Sequence, residues 1–149
     1  MADDNREPVM LPPGEGGRFH VPGPYVIKLA GEQTAGSLAV LESTFPPGQG
    51  APLHRHRGHD ETFHVVSGRF RFQCGDRVAE EGPGGFFHVP RTYPHAFTSV
   101  GDEPSTILVM LTPAGFERFF IEAARLSASG RPDRIAMQSI LAKYDQELL

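Results

Sequence analysis

Six of the seven histidines fall between His54 and His95, with Glu61 among them. Imidazoles and carboxylates together bind transition metals and move protons, so this crowding points to a metal centre. In an extended strand, residues i and i+2 share a face with Cα atoms about 6.6 Å apart, close enough for two rings to reach one ion. His54 and His56 have that spacing, and Arg55 and Arg57 then face the other way. Gly58 marks a turn, and Glu61 opens the next expected strand, 61–66, sharing a face with Phe63 and Val65 while His64 points away. A further strand over 95–100 sends His95, Phe97 and Ser99 to one side, which adds a third imidazole if that side is the interior. Three imidazoles and a carboxylate suit one divalent transition metal ion, Fe, Mn, Ni, Co, Cu or Zn, whereas calcium would require more oxygens. Open positions on such an ion would take water or an exchangeable substrate.

The elements that must position these groups can be read from turn signals. Between Tyr25 and Leu111, runs rich in Val, Ile, Leu, Phe and Thr are broken by Pro46-Pro47-Gly48, Gly75-Asp76, Gly82-Pro83-Gly84-Gly85 and Gly101-Asp102. Intervals of about 8–12 residues are those of a β-sandwich or barrel, since βαβ units would need helical stretches between strands. The 17 glycines and 14 prolines agree with many short elements. After Pro113 the period changes: Phe116, Phe119, Phe120 and Ala123 form one helical stripe, with Glu117, Arg118, Glu122 and Arg125 on other faces. A second helix is expected from about Pro132 to Leu148, with Ala136, Ile140, Tyr144 and Leu148 on one side. Both stripes read as packing surfaces covering part of the β core. The expected organisation is a flexible arm over 1–18, a barrel over 19–112 and a helical extension over 113–149.

Composition excludes several classes. With a formal charge of -4 and scattered arginines, nucleic acid is not an expected partner. Cys74 is the single cysteine, so no internal disulfide can form, and it reads as a small buried hydrophobe. No apolar run approaches the roughly 18 residues of a membrane span, and the start MADDNREP is acidic and polar. A cytoplasmic protein with no membrane partner is expected.

Gly48, His54, His56, Glu61 and Gly68, in PGQGAPLHRHRGHDETFHVVSGRF, resemble the first motif of the cupin superfamily. GGFFHVPRTYPHAFTS is similar to the second, with Thr92 where glycine is common and Ser99 where asparagine is common. The resemblance covers about residues 36–112, and the tail TPAGFERFF is similar to that of small bacterial cupins grouped with quercetin dioxygenase-like proteins. It implies an all-β fold, the double-stranded β-helix or cupin jelly roll, followed here by two α-helices. It also implies a metal held by His54, His56, Glu61 and His95.

For function, the resemblance implies a dioxygenase acting on a small phenolic or enolisable substrate, with Glu61 as ligand and catalytic proton acceptor. A non-redox cyclase or isomerase of a polyketide-like or sugar-derived carbonyl compound is the alternative, and a non-catalytic ligand-binding module the third. Cupins of this type pair through barrel strands, so a homodimer is expected. Phe63, Phe97, His88 and Tyr93 are the candidate substrate contacts. His88 shares a face with Phe86 and either lines the pocket or caps a strand; His59, in the turn between the ligands, reads as an exposed turn residue, with a place behind the ligands or at the entrance as the alternative. By alternation Phe70 and Phe72 face in, leaving Arg69 and Arg71 outside.

Overall fold

A computed structural model describes residues 6–128, 130–131 and 133–149. Pro132 and the first five residues of the expected arm lie outside the described residues. Among the described residues, ten strands form two five-stranded antiparallel sheets, in the orders β1-β2-β9-β4-β7 and β10-β3-β8-β5-β6. The strands are β1 (Tyr25–Leu29), β2 (Ala39–Phe45), β3 (Gly50–His56), β4 (Asp60–Ser67), β5 (Phe70–Cys74), β6 (Arg77–Glu81), β7 (Phe86–Val89), β8 (His95–Ser99), β9 (Ser105–Thr112) and β10 (Gln146–Leu148). This is the expected jelly roll with two helices, α1 (Glu117–Ala128) and α2 (Arg134–Lys143).

Alternation decides what faces inward. Along β4, β8 and β9 every second residue is buried, so Glu61, Phe63 and Val65 point to the same interior as His95, Phe97 and Ser99 and as Ile107, Val109 and Leu111. Phe70 and Phe72 of β5 complete the aromatic centre, with Phe72 stacked 5.2 Å from Phe97 and Phe63 4.9 Å from Phe72. Arg69 and Arg71 lie outside, as expected, and Cys74 is only half-buried against the core.

The carboxy-terminal segment departs from the helical reading. Helix α2 stops at Lys143, Asp145 adopts φ 58°, and the chain reverses into β10. Gln146, Glu147 and Leu148 pair antiparallel with His56, Arg55 and His54 of β3. An exposed β3 edge with unpaired backbone groups is a stronger partner for this short stretch than one more helical turn. The i+4 stripe therefore breaks after Tyr144, and Leu148 is exposed. Glu117 also departs from its expected outward face: it is fully buried and accepts hydrogen bonds from the backbone N–H groups of Gly31 (2.8 Å) and Gly115 (2.6 Å). Of the segment before β1, Gly17 N–H donates to Ile27 C=O and Glu15 C=O accepts from Lys28 Nζ. Among the described residues no helix is long and apolar enough to cross a membrane.

Candidate metal centre

His54, His56, Glu61 and His95 are all buried, and each offers one ligand atom within 4.8 Å of the others. Three strands deliver them. β3 and β8 run side by side with His54 directly opposite His95, so their rings stand 4.2 Å apart. A shift in the β3–β8 pairing between Ala51 and His54 sets the end of β3, from which His56 projects two residues on. β4 lies in the opposite sheet and brings Glu61 across the interior.

Backbone carbonyls orient two of the rings. Pro52 C=O accepts from His54 Nδ1 at 2.6 Å, and Tyr93 C=O accepts from His95 Nδ1 at 3.0 Å. A carbonyl can only accept, so each Nδ1 carries a proton and each Nε2 is turned toward the cluster. This is the arrangement by which proteins fix imidazole ligands to a metal. His56 Nδ1 is buried without a hydrogen-bond partner. A buried polar atom left unpaired is costly, and ligation or a bound water relieves it. The donor set and its unsatisfied nitrogen fit a divalent transition metal ion.

The electrostatics agree. Burial pushes His54 and His56 down, with the other imidazoles adding to it, and His56 reaches about 3, so both rings stay neutral and able to donate a lone pair. Burial alone would raise Glu61, but the facing imidazoles of His59, His95 and His56 reverse this and hold it well below the carboxylate range. Burial lowers His95, and its hydrogen bond to Glu61 outweighs that and raises it. Glu61 is thus an anion whose charge the surrounding rings stabilise.

Above the cluster lies a cavity of about 120 Å³. Phe63 and Phe97 line it, together with Leu41, Val109 and an aromatic cover of Phe116, Phe119 and Phe120. The remaining polar groups of its lining are Tyr25 and Gln146. Burial and then the charge of Glu61 raise the Tyr25 phenol well beyond its ordinary range, so it stays protonated.

Of the candidate substrate contacts, His88 and Tyr93 are outside this lining. His88 is paired across the sheet with Thr62, which alternates outward between Glu61 and Phe63, and its Nδ1 lies 2.9 Å from Thr62 Oγ1 on the exposed face. Tyr93 is 44% exposed and packs near Gly75. His59 corrects its expected exposure: only 5% exposed, it stacks against Phe116 at 5.1 Å with its Nε2 3.7 Å from Glu61 Oε1. The turn folds under the Phe116 cover, which a reading of the turn by itself does not reveal. Tyr25, Phe116 and Gln146 were also missed. The aromatic run after Pro113 was the available signal for Phe116, but its helical period pointed equally well to packing.

A family model described as cupin domain matches residues 41–111. The chain is 29% identical over 119 residues to quercetin 2,3-dioxygenase of Bacillus subtilis (strain 168). That match takes in 78% of this chain and 35% of the relative, so the chain spans about a third of that protein's length. Among solved structures, KdgF from Halomonas sp. superposes with a TM-score of 0.57 at 20% identity, over 63% of this chain and 82% of that one. A structure described as DMSP lyases RdDddP and RnDddQII gives a TM-score of 0.54 at 27% identity, over 62% of this chain and 48% of that one.

Proposed function

We propose that this chain, with its cupin-domain match over residues 41–111 and its buried cluster of three histidines and a glutamate, is a cupin and a metal-dependent dioxygenase acting on a small phenolic or enolisable substrate. The observation that carries this reading is the position of Glu61, an ionised carboxylate at the floor of an apolar cavity with histidines on either side.

A bound divalent transition ion supplies Lewis acidity and, if redox-active, electron transfer to dioxygen. The chain supplies the rest. His54, His56, His95 and Glu61 would hold the ion, and Glu61 Oε1, on the side away from His95, would accept the proton of an enol or phenol. Phe116, Phe119 and Phe120 exclude water, which strengthens every charge interaction beneath them. The protonated Tyr25 hydroxyl and the Gln146 amide would orient a second oxygen of the substrate.

Cavity size supports a compact substrate. An engineered cavity of about 150 Å³ holds benzene, whereas sites for drug-sized ligands run to roughly 300–1,000 Å³. At about 120 Å³, this cavity matches a single ring or an open chain of similar bulk. Exposed Val78 and Phe86, on or beside the outer strands β6 and β7, support pairing into a homodimer, which light scattering would test.

The likeness to a structure described as DMSP lyases, at 27% identity, favours one second reading: proton abstraction at the same site without redox chemistry, as in a lyase, cyclase or isomerase. Elemental analysis of untagged protein followed by dioxygen-uptake assays with single-ring phenols and enols separates the two. Substrate-dependent dioxygen consumption with a redox-active metal is the expected result. Equal turnover under argon with Zn²⁺ would establish the second reading instead, and a protein that takes up no metal would defeat both.

A further inference from the structure

Among the described residues, His59 is the one buried histidine that the donor set leaves over. Its side chain is 6% exposed, and its Nε2 is buried without a hydrogen-bond partner. The ring is fixed on two sides, 4.3 Å from His56 and stacked on Phe116 at an interplanar angle of 29°. The acceptor it faces is Glu61 Oε1, at 3.7 Å.

The two oxygens of Glu61 are unequally served. Oε2 is 2.8 Å from His95 Nε2, a full hydrogen bond, whereas Oε1 has His56 Nε2 at 3.5 Å and His59 Nε2 at 3.7 Å. A buried carboxylate oxygen with no close donor and a buried imidazole nitrogen with no acceptor therefore face each other. Closing that gap to an ordinary N–H···O distance takes a movement of about 0.8 Å, which a small carboxylate rotation supplies. An apolar ring would pack on Phe116 equally well, so packing alone does not account for a nitrogen at this place.

We propose that His59 is a positioning residue for Glu61: its Nε2–H serves the carboxylate oxygen that His95 does not, and so fixes the rotation at which Glu61 binds a metal. This rests on the reading of the cluster as a metal site. Groups that orient a metal ligand from behind typically contribute 10–100-fold in metal affinity.

Co²⁺ titration of the full chain, followed by its visible d–d absorption, tests this on the wild type, His59→Phe and His59→Gln. The phenylalanine keeps the stack on Phe116 without a donor; the glutamine restores an N–H. We expect His59→Phe to bind Co²⁺ about 10–100-fold more weakly with an altered absorption envelope. His59→Gln should recover most of the loss, and the melting temperature of the metal-free proteins should not fall. Equal Co²⁺ affinity in all three proteins overturns the role of His59 while leaving the metal site intact. So does an affinity loss in His59→Phe that follows a drop in metal-free melting temperature and is not recovered in His59→Gln. A wild type that takes up no Co²⁺ overturns the metal site and this role with it.

Discussion

Glu61 and His95 share a 2.8 Å hydrogen bond from Nε2 to Oε2 across the barrel, although 34 positions separate them in the chain. Because Tyr93 C=O already requires a proton on His95 Nδ1, the bond to the Glu61 carboxylate favours a second proton on Nε2, the imidazolium form. The raised proton affinity of His95 has its cause in that pair. A metal cation at the cluster would take over the charge that His95 carries, so uptake of the ion should release a proton. Glu61→Gln removes the anion and leaves the interior with three imidazoles and no compensating charge. We expect metal affinity to collapse and turnover to fall by about 10²–10⁴-fold, the range of a positioned general base. Metal content by elemental analysis and proton release in weakly buffered solution check the two halves separately.

The acid limb of metal-free stability should be set in part by His56. Its folded-state value of about 3 lies below that of an unfolded histidine, about 6.5. Between these values the unfolded chain binds a proton that the folded chain refuses. Stability from this group is therefore fully present above about pH 6.5 and is lost as pH falls toward 3. His95, shifted the other way, contributes stability below about pH 6.5 that fades as pH rises above it. Melting temperatures in EDTA between pH 7 and 4 should fall more steeply for the wild type than for His56→Asn, which has no proton to refuse. Parallel curves would show that His56 does not govern the limb.

What the sequence made legible, and what it did not, follows from the range of the interactions involved. Strand alternation put His54 with His56, Glu61 with Phe63 and His95 with Phe97 on shared faces, because a period of two is a local property that needs no knowledge of neighbours, whereas the meeting of those faces around one site was implied only by the family resemblance. The burial of His59 was not legible, because it depends on Phe116 arriving from a segment more than fifty positions away. Gln146 was hidden for the same reason: its strand exists only because β3 offers it an unpaired edge. Glu117 looked like a surface charge on a helix, and only the approach of Gly31 and Gly115 N–H groups makes its burial affordable. Local patterns specified the strands and their faces; contacts between distant segments decided the cover and the polar outliers.

Thr92 stands where the second motif commonly has glycine, and its backbone shows why glycine is favoured. Its φ is 70°, in the left-handed region, and its N–H donates to His56 C=O at 2.5 Å. A β-branched residue there is strained by about 1–2 kcal/mol relative to glycine, partly offset by the freedom glycine gains in the unfolded chain. Thr92→Gly should keep the hydrogen bond to His56 and stabilise the protein by about 1 kcal/mol, or roughly 2–4 °C in melting temperature. Calorimetry checks the gain, and an unchanged metal affinity would confirm that the loop already holds His56 in place.

Phe116 joins the cover to the site, because its ring lies 4.6 Å from His56 and 5.1 Å from His59 while also lining the cavity. Truncating a buried phenylalanine costs about 3 kcal/mol through lost burial and the void left behind. At this position the void joins the cavity to solvent. Phe116→Ala should therefore melt lower, admit water above Glu61, and raise KM for single-ring substrates while kcat falls. The same enlargement should relax the size limit, so that two-ring phenols rejected by the wild type bind the variant. Phe116→Leu, which keeps the apolar cover at smaller volume, should lie between the two in both stability and KM. Isothermal titration with one-ring and two-ring phenols against all three proteins measures this. If the variants lose stability without any change in ligand size preference, Phe116 packs the core but does not bound the site.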